Sequence, residues 1–224
     1  MSNIFEDKSG QNVPSVSFPI IKDGEWNKRT SEDIFNNKTV VVFSLPGAFT
    51  PTCSSSHLPR YNELASVFFE NGVDEIVCIS WGADQDAENV SLLPDGTGEF
   101  TQKMGLLVDK SEIGFGKRSW RYSMLVKNGV VDKMFIEPNL PGDPFEVSDA
   151  DTMLNYINPQ AKSRDILVLS KLDCPYCKKA KALLKEKGLP FEELVVGRDI
   201  SAAGLRAASG AETVPQIFID GVHV

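Results

Sequence analysis

The chain has 224 residues, 42% of them hydrophobic and 24% charged, a composition that excludes a disordered polymer and suits one or two globular domains. Its formal net charge of -8 argues against a nucleic-acid partner, because phosphate backbones are held mainly by clustered Lys and Arg. Apolar runs such as 40–43 fall well short of the roughly 20 residues that cross a bilayer, and residues 1–10 lack the basic start and apolar stretch of a secretory signal. No membrane attachment and a cytoplasmic location are therefore the expectations.

In chain order, 39–45 (TVVVFSL) is a β-branched run bounded by Pro46 and Gly47 and predicts a buried strand. Leu58, Tyr61, Leu64, Ala65 and Phe68 then recur at helical spacing up to Gly72. This places Cys53 near the first turn of a helix and Pro59 where it should kink that helix. Residues 75–80 (EIVCIS) repeat the short apolar strand signal, and strand, helix, strand in succession indicates an α/β domain with a mixed sheet. Residues 121–127 and 130–136 read as a hairpin, since Asn128-Gly129 supplies the positive φ angles of a type I′ turn. Ser148 is expected to cap a helix ending near Ile157.

The polar, Pro-containing stretch 158–163 (NPQAKS) marks a domain boundary, dividing the chain into 1–160 and 164–224. The second domain reads as a strand at 165–169, the Cys-Pro-Tyr-Cys segment, and a helix to Gly188. A strand at 191–195, a helix at 200–208 and a hairpin over 216–224 turning at Asp220-Gly221 complete it.

Four cysteines in a chain of this length do not make a disulfide scaffold, so reactivity is the better reason to keep them. Cys78, between Val77 and Ile79 in a buried strand, is expected to be a small core residue. Cys53 has the setting of a nucleophile: a helix N-terminus favours its thiolate, Thr50 three residues earlier can donate to the sulfur, and Pro46 can exclude water. His57 and the acidic runs 84–88 and 148–151 are expected to be solvated or locally bonded, and His223 is uninformative. Cys174 and Cys177 follow a strand and open a helix, which puts Cys174 at the helix N-terminus as the attacking thiol and Pro175 at the first helical position. A zinc site would need a second such pair or nearby histidines, so no metal is expected.

Pro46, Thr50 and Cys53 in PGAFTPTCSSSHLP match the Pro-x-x-x-Thr-x-x-Cys motif, and the first domain resembles peroxiredoxins of the type-5 subfamily. The resemblance implies that Arg121, in 116–124 (GKRSWRYSM), is the active-site arginine, with Arg118 the nearby competitor. A guanidinium there would lower the thiolate pKa and stabilise charge on the departing oxygen. Lys171 before Cys174-Pro175-Tyr176-Cys177, with Thr213-Val214-Pro215 downstream, makes the second domain similar to glutaredoxins. That likeness implies that Lys171, Tyr176, Thr213, Val214 and Pro215 hold glutathione, Pro215 as a cis-proline.

The implied fold is α/β, two thioredoxin-like domains. The second is smaller and, as the residues end at Val224, lacks the Gly-Gly-x-Asp-Asp segment and final helix that glutaredoxins place after the hairpin. Residues Ser80 and Trp81 also adjoin where type-5 peroxiredoxins usually carry several more residues.

Together the resemblances are those of a hybrid peroxiredoxin/glutaredoxin. They imply a peroxidase acting on hydrogen peroxide and alkyl hydroperoxides through Cys53, recycled by glutathione as co-substrate and by Cys174, with Cys177 auxiliary and no permanently bound cofactor. The stretch 145–150 contains no resolving cysteine, which leaves that task to glutathione. A linker of about six residues spans on the order of 12–15 Å, which favours delivery to a neighbouring chain and a homo-oligomer. The alternatives are a general thiol–disulfide oxidoreductase and a non-enzymatic redox-sensing interaction protein.

Overall fold

The computed structural model describes residues 5–22, 24–46, 56–80, 87–140, 142, 144–161, 165–187 and 189–224. Its contacts divide the chain into two compact units, Met1–Ala161 and Lys162–Val224.

In the first unit β1 (Ser17–Lys22) and β2 (Glu25–Thr30) form an antiparallel hairpin that the sequence reading did not anticipate. Thr30 then opens α1 (Ser31–Phe35) through a capping box with Asp33. A five-stranded sheet is built around β3 (Thr39–Ser44). It pairs in parallel with β4 (Glu75–Ser80), which pairs in parallel with β5 (Ser91–Pro94). On its other side the strands run antiparallel, first β8 (Tyr122–Lys127) and then β9 (Val130–Ile136). Between the two halves lie α4 (Glu99–Lys103) and a small antiparallel pair, β6 (Leu107–Asp109) with β7 (Lys117–Ser119). Asn128 at φ 48° and Gly129 at φ 78° make the tight β8–β9 turn that their residue types require.

Alternation along the strands separates two cores, one on each face of the sheet. Val40 and Val42 of β3 join Met124 and Val126 in one cluster, against Phe18, Ile34, Phe35 and Phe100. Val41 and Phe43 join Leu125 and Cys78 in the other, which is covered by Tyr61, Leu64 and Phe68 and by Met153 and Leu154. Because both faces are covered, these strands read as continuous apolar runs, each fully buried aliphatic side chain stabilising the fold by about 1.5–3 kcal/mol. Cys78 is fully buried among them.

The helical pattern after residue 57 is two helices, α2 (Leu58–Glu63) and α3 (Ala65–Glu70), parted at Leu64, which leaves helical geometry at ψ 2°. Pro59, expected to kink this helix, is the second residue of α2 and follows a π-helical stretch at 56–57, so the irregularity lies just before the proline. Asp149, not Ser148, caps α5 (Ala150–Ile157), its carboxylate accepting the Thr152 N–H at 2.8 Å.

The second unit is a four-stranded sheet in the order β11 (Glu192–Val195), β10 (Ile166–Ser170), β12 (Gln216–Ile219), β13 (Val222–His223). The β10–β11 pairing is parallel and the others are antiparallel. Its helices are α6 (Pro175–Glu186) and α7 (Ala202–Ser209). The second helix begins later than the apolar pattern suggested, because Ser201 accepts the Gly204 N–H as its cap. It stops at Gly210, φ 70°. Gly188, expected to end α6, lies outside the described residues.

Candidate active site

Of the residues assigned to the first site, Thr50 and Cys53 lie outside the described residues, as does most of the acidic run 84–88. Pro46 is half-buried just past the end of β3. Arg121 lies between β7 and β8 and is only 1% exposed, the largest fully buried side chain described. Arg118, its competitor, is less deeply buried and donates to the Lys117 carbonyl.

Arg121 is held by a residue that sequence reasoning did not rank as functional. His57 is neither solvated nor locally bonded: it is fully buried, with Nδ1 3.0 Å from Arg121 Nη1 and Nε2 3.1 Å from the Ser148 carbonyl. A carbonyl can only accept, so Nε2 carries the proton and the Nδ1 lone pair faces the guanidinium. The ring is thus a neutral acceptor. Burial, and then the Arg121 charge, press its pKa from 6.5 to about 3. Phe43, Tyr61 and Phe145 surround the imidazole at ring separations of 5.0, 5.5 and 4.7 Å, and the Arg121 guanidinium lies 5.4 Å from the Phe145 ring centre.

The far end of this contact is fixed by Glu137. Its carboxylate accepts the backbone N–H groups of Glu146, Val147 and Ser148 at 2.9, 2.9 and 2.8 Å and the Ser148 hydroxyl at 2.7 Å. So the run 148–151 begins with a buried anchor and is not wholly a solvated acidic stretch. The Ser148 carbonyl accepts from both His57 and the Tyr61 hydroxyl. Glu137 in turn donates its own N–H to the Arg121 carbonyl at 3.1 Å and accepts the Trp120 indole N–H at 2.8 Å. The bonds therefore close a ring from Arg121 through His57, Ser148 and Glu137 back to Arg121. Such a ring fixes both the main chain and the head group of the arginine.

In the second unit Cys174 is the N-cap of α6: its sulfur accepts the Cys177 N–H at 3.1 Å and lies 3.9 Å from the Val214 carbonyl. Pro175 follows in the first turn, and the aligned N–H groups of a helix start favour a thiolate there. Cys174 and Cys177 are joined as a disulfide with their Cα atoms 5.2 Å apart. Cys174 is half-buried, Cys177 is 1% exposed, and Tyr176 stands 72% exposed beside them. Lys171 and Thr213 are exposed, while Val214 and Pro215 are half-buried and joined by a cis peptide. Val214 thus comes to the sulfur of Cys174, and Lys171 lines the same cleft as Cys174.

With the Cys174–Cys177 pair opening α6 in the second unit, the chain has the site of a thiol–disulfide oxidoreductase. Its sequence matches the redoxin family over residues 8–154 and the glutaredoxin family over residues 166–224. It is 58% identical over 225 residues to the hybrid peroxiredoxin hyPrx5 of Haemophilus influenzae, covering 96% of this chain and 93% of that protein. It is 54% identical over 169 residues to the peroxiredoxin sll1621 of Synechocystis, covering 66% of this chain and 89% of that one. Among solved structures, reduced Prx3 of Vibrio vulnificus in complex with hydrogen peroxide superposes with a TM-score of 0.61 at 37% identity, covering 66% of this chain and 98% of that one. The chain belongs to the redoxin family, as a peroxiredoxin with a glutaredoxin domain fused behind it, and is a peroxidase of the oxidoreductase class.

Proposed function

We propose that the chain is a glutathione-dependent peroxidase acting in the cytoplasm on hydrogen peroxide and small alkyl hydroperoxides. The Cys53 thiolate attacks the terminal peroxide oxygen, the O–O bond breaks, and water or an alcohol leaves once its oxygen takes a proton. Cys53 becomes a sulfenic acid. Arg121 stabilises first the thiolate and then the charge on the departing oxygen, and His57 holds Arg121 in place. Glutathione condenses with the sulfenic acid, releasing water and leaving a Cys53–glutathione disulfide. Cys174 thiolate then attacks the glutathione sulfur, freeing Cys53, and a second glutathione removes the first from Cys174 as oxidised glutathione.

What carries this reading is the sulfur of Cys174 at the start of α6, accepting a backbone N–H where a thiolate is stabilised. Lys171, Tyr176, Thr213, Val214 and Pro215 form the proposed glutathione-holding set. Peroxide consumption with glutathione as the sole reductant tests the scheme. Cys53→Ser should abolish turnover, whereas Cys174→Ser should permit one rapid peroxide reduction and then stall. Undiminished steady-state turnover in Cys174→Ser overturns the in-chain relay.

A further inference from the structure

Beside the two sulfurs of the second unit lies a cleft of about 220 Å³ whose walls include Cys174, Cys177, Lys181 and Glu193. Lys181 follows Cys177 by four residues on α6, so the two share a helix face, and helical side chains lean toward the N-terminus, over the turn that carries Cys177. Glu193, on β11, accepts from Lys181 Nζ at 2.6 Å and from the Ser170 hydroxyl at 2.5 Å. Ser170 is fully buried at the end of β10, four residues before Cys174. Cys177 itself is 1% exposed, and a buried thiol has to lose its proton before it can attack.

We propose that Glu193 accepts the Cys177 thiol proton, directly or through one water, when Cys177 resolves a Cys174–glutathione disulfide. The proposal rests on the reading that Cys174 carries glutathione. The Cys177 S–H bond breaks and its proton passes to a Glu193 oxygen. The sulfur electron pair forms a bond to the Cys174 sulfur, the Cys174–glutathione S–S bond breaks, and the departing thiolate takes the proton from Glu193. The products are the Cys174–Cys177 disulfide and one glutathione thiol, and no outside oxidant enters.

The transfer moves one negative charge from carboxylate to sulfur in front of a fixed Lys181 ammonium, so the cleft gains no net charge. Lys171, Asp173, Lys178 and Arg198 also face this cleft, Arg198 being paired with Asp199. Hydrogen bonds from Lys181 and then Ser170 hold the Glu193 pKa below its ordinary value against its partial burial, so it stands ionised as an acceptor at neutral pH.

The test uses the full chain carrying Cys53→Ser, fully reduced and mixed rapidly with oxidised glutathione while thiol release is followed. A second-order phase reports Cys174 attack, and a first-order phase reports closure by Cys177. Glu193→Gln should leave the first phase unchanged and slow the second by about tenfold or more at neutral pH. Its closure rate should keep rising with hydroxide where the parent reaches a plateau, and Glu193→Asp should regain part of the rate. Lys181→Met, which keeps the acceptor, should slow closure yet retain the plateau. Closure in Glu193→Gln at the parent rate and with the parent pH profile overturns the proposal alone. Absence of the first phase in the parent overturns the glutathione reading with it.

Discussion

His57 holds Arg121 through a lone pair and carries no charge, and this makes the contact sensitive to acid. The folded-state pKa of about 3 lies below the unfolded value of 6.5, so the imidazole contributes stability that is fully present above pH 6.5 and is lost as pH falls toward 3. By pH 5 the loss should be about 2 kcal/mol, read as a fall in the urea midpoint. His57→Leu should remove this slope. At neutral pH it should cost about 1–3 kcal/mol, because a buried Arg121 N–H loses its acceptor. Peroxide reduction by Cys53 should slow about tenfold in the same variant as the guanidinium loses its alignment. The sequence places His57 one helical turn past Cys53, yet its partners Arg121 and Ser148 lie 64 and 91 residues away, a distance no local pattern reports.

At the scale of elements, local chemistry was legible where it is decided by near neighbours. Four of the five strands of the central sheet, the Asn128-Gly129 turn and the Cys174 start of α6 follow from residue type and spacing, whereas the short edge strand β5 was not anticipated. Long-range bonds decided the rest. Ser148 resembles a helix cap, but its hydroxyl and N–H both go to Glu137, which leaves Asp149 to cap α5. The β1–β2 hairpin escaped notice because its second strand is largely exposed and carries no clean apolar alternation.

Glu137→Gln replaces an acceptor oxygen by an amide NH2 facing main-chain donors. It should cost about 2–3 kcal/mol, seen as a lower urea midpoint at unchanged slope. It should also slow Cys53 oxidation, since the Ser148 carbonyl no longer fixes His57. Measured against the parent with its Cys174–Cys177 disulfide reduced, Cys174→Ser keeps a side-chain acceptor at the N-cap and should stay within about 0.5 kcal/mol, whereas Cys174→Ala should lose about 1 kcal/mol. Comparing the two melts separates lost chemistry from a lost cap.

For the whole molecule, the two-unit division was visible in the polar stretch 158–163, because a Pro-containing polar segment between two patterned regions has little apolar surface to bury. What composition does not report is which Cys53 each Cys174 serves. The connection is too short to let Cys174 search a large volume, so its effective concentration at a given Cys53 is either high or close to nothing. If delivery is to a neighbouring chain in a dimer, mixing Cys53→Ser chains with Cys174→Ser chains rebuilds working pairs. Random pairing makes half the dimers mixed, and each mixed dimer holds one productive couple of two, so turnover should recover to about a quarter of the parent level. That fraction should hold on dilution until the dimer itself dissociates. Delivery within one chain predicts no such recovery, only a weak bimolecular exchange that fades in proportion to concentration. Neighbour delivery is the expected outcome, and glutathione-dependent peroxide consumption across a dilution series of the mixture measures it.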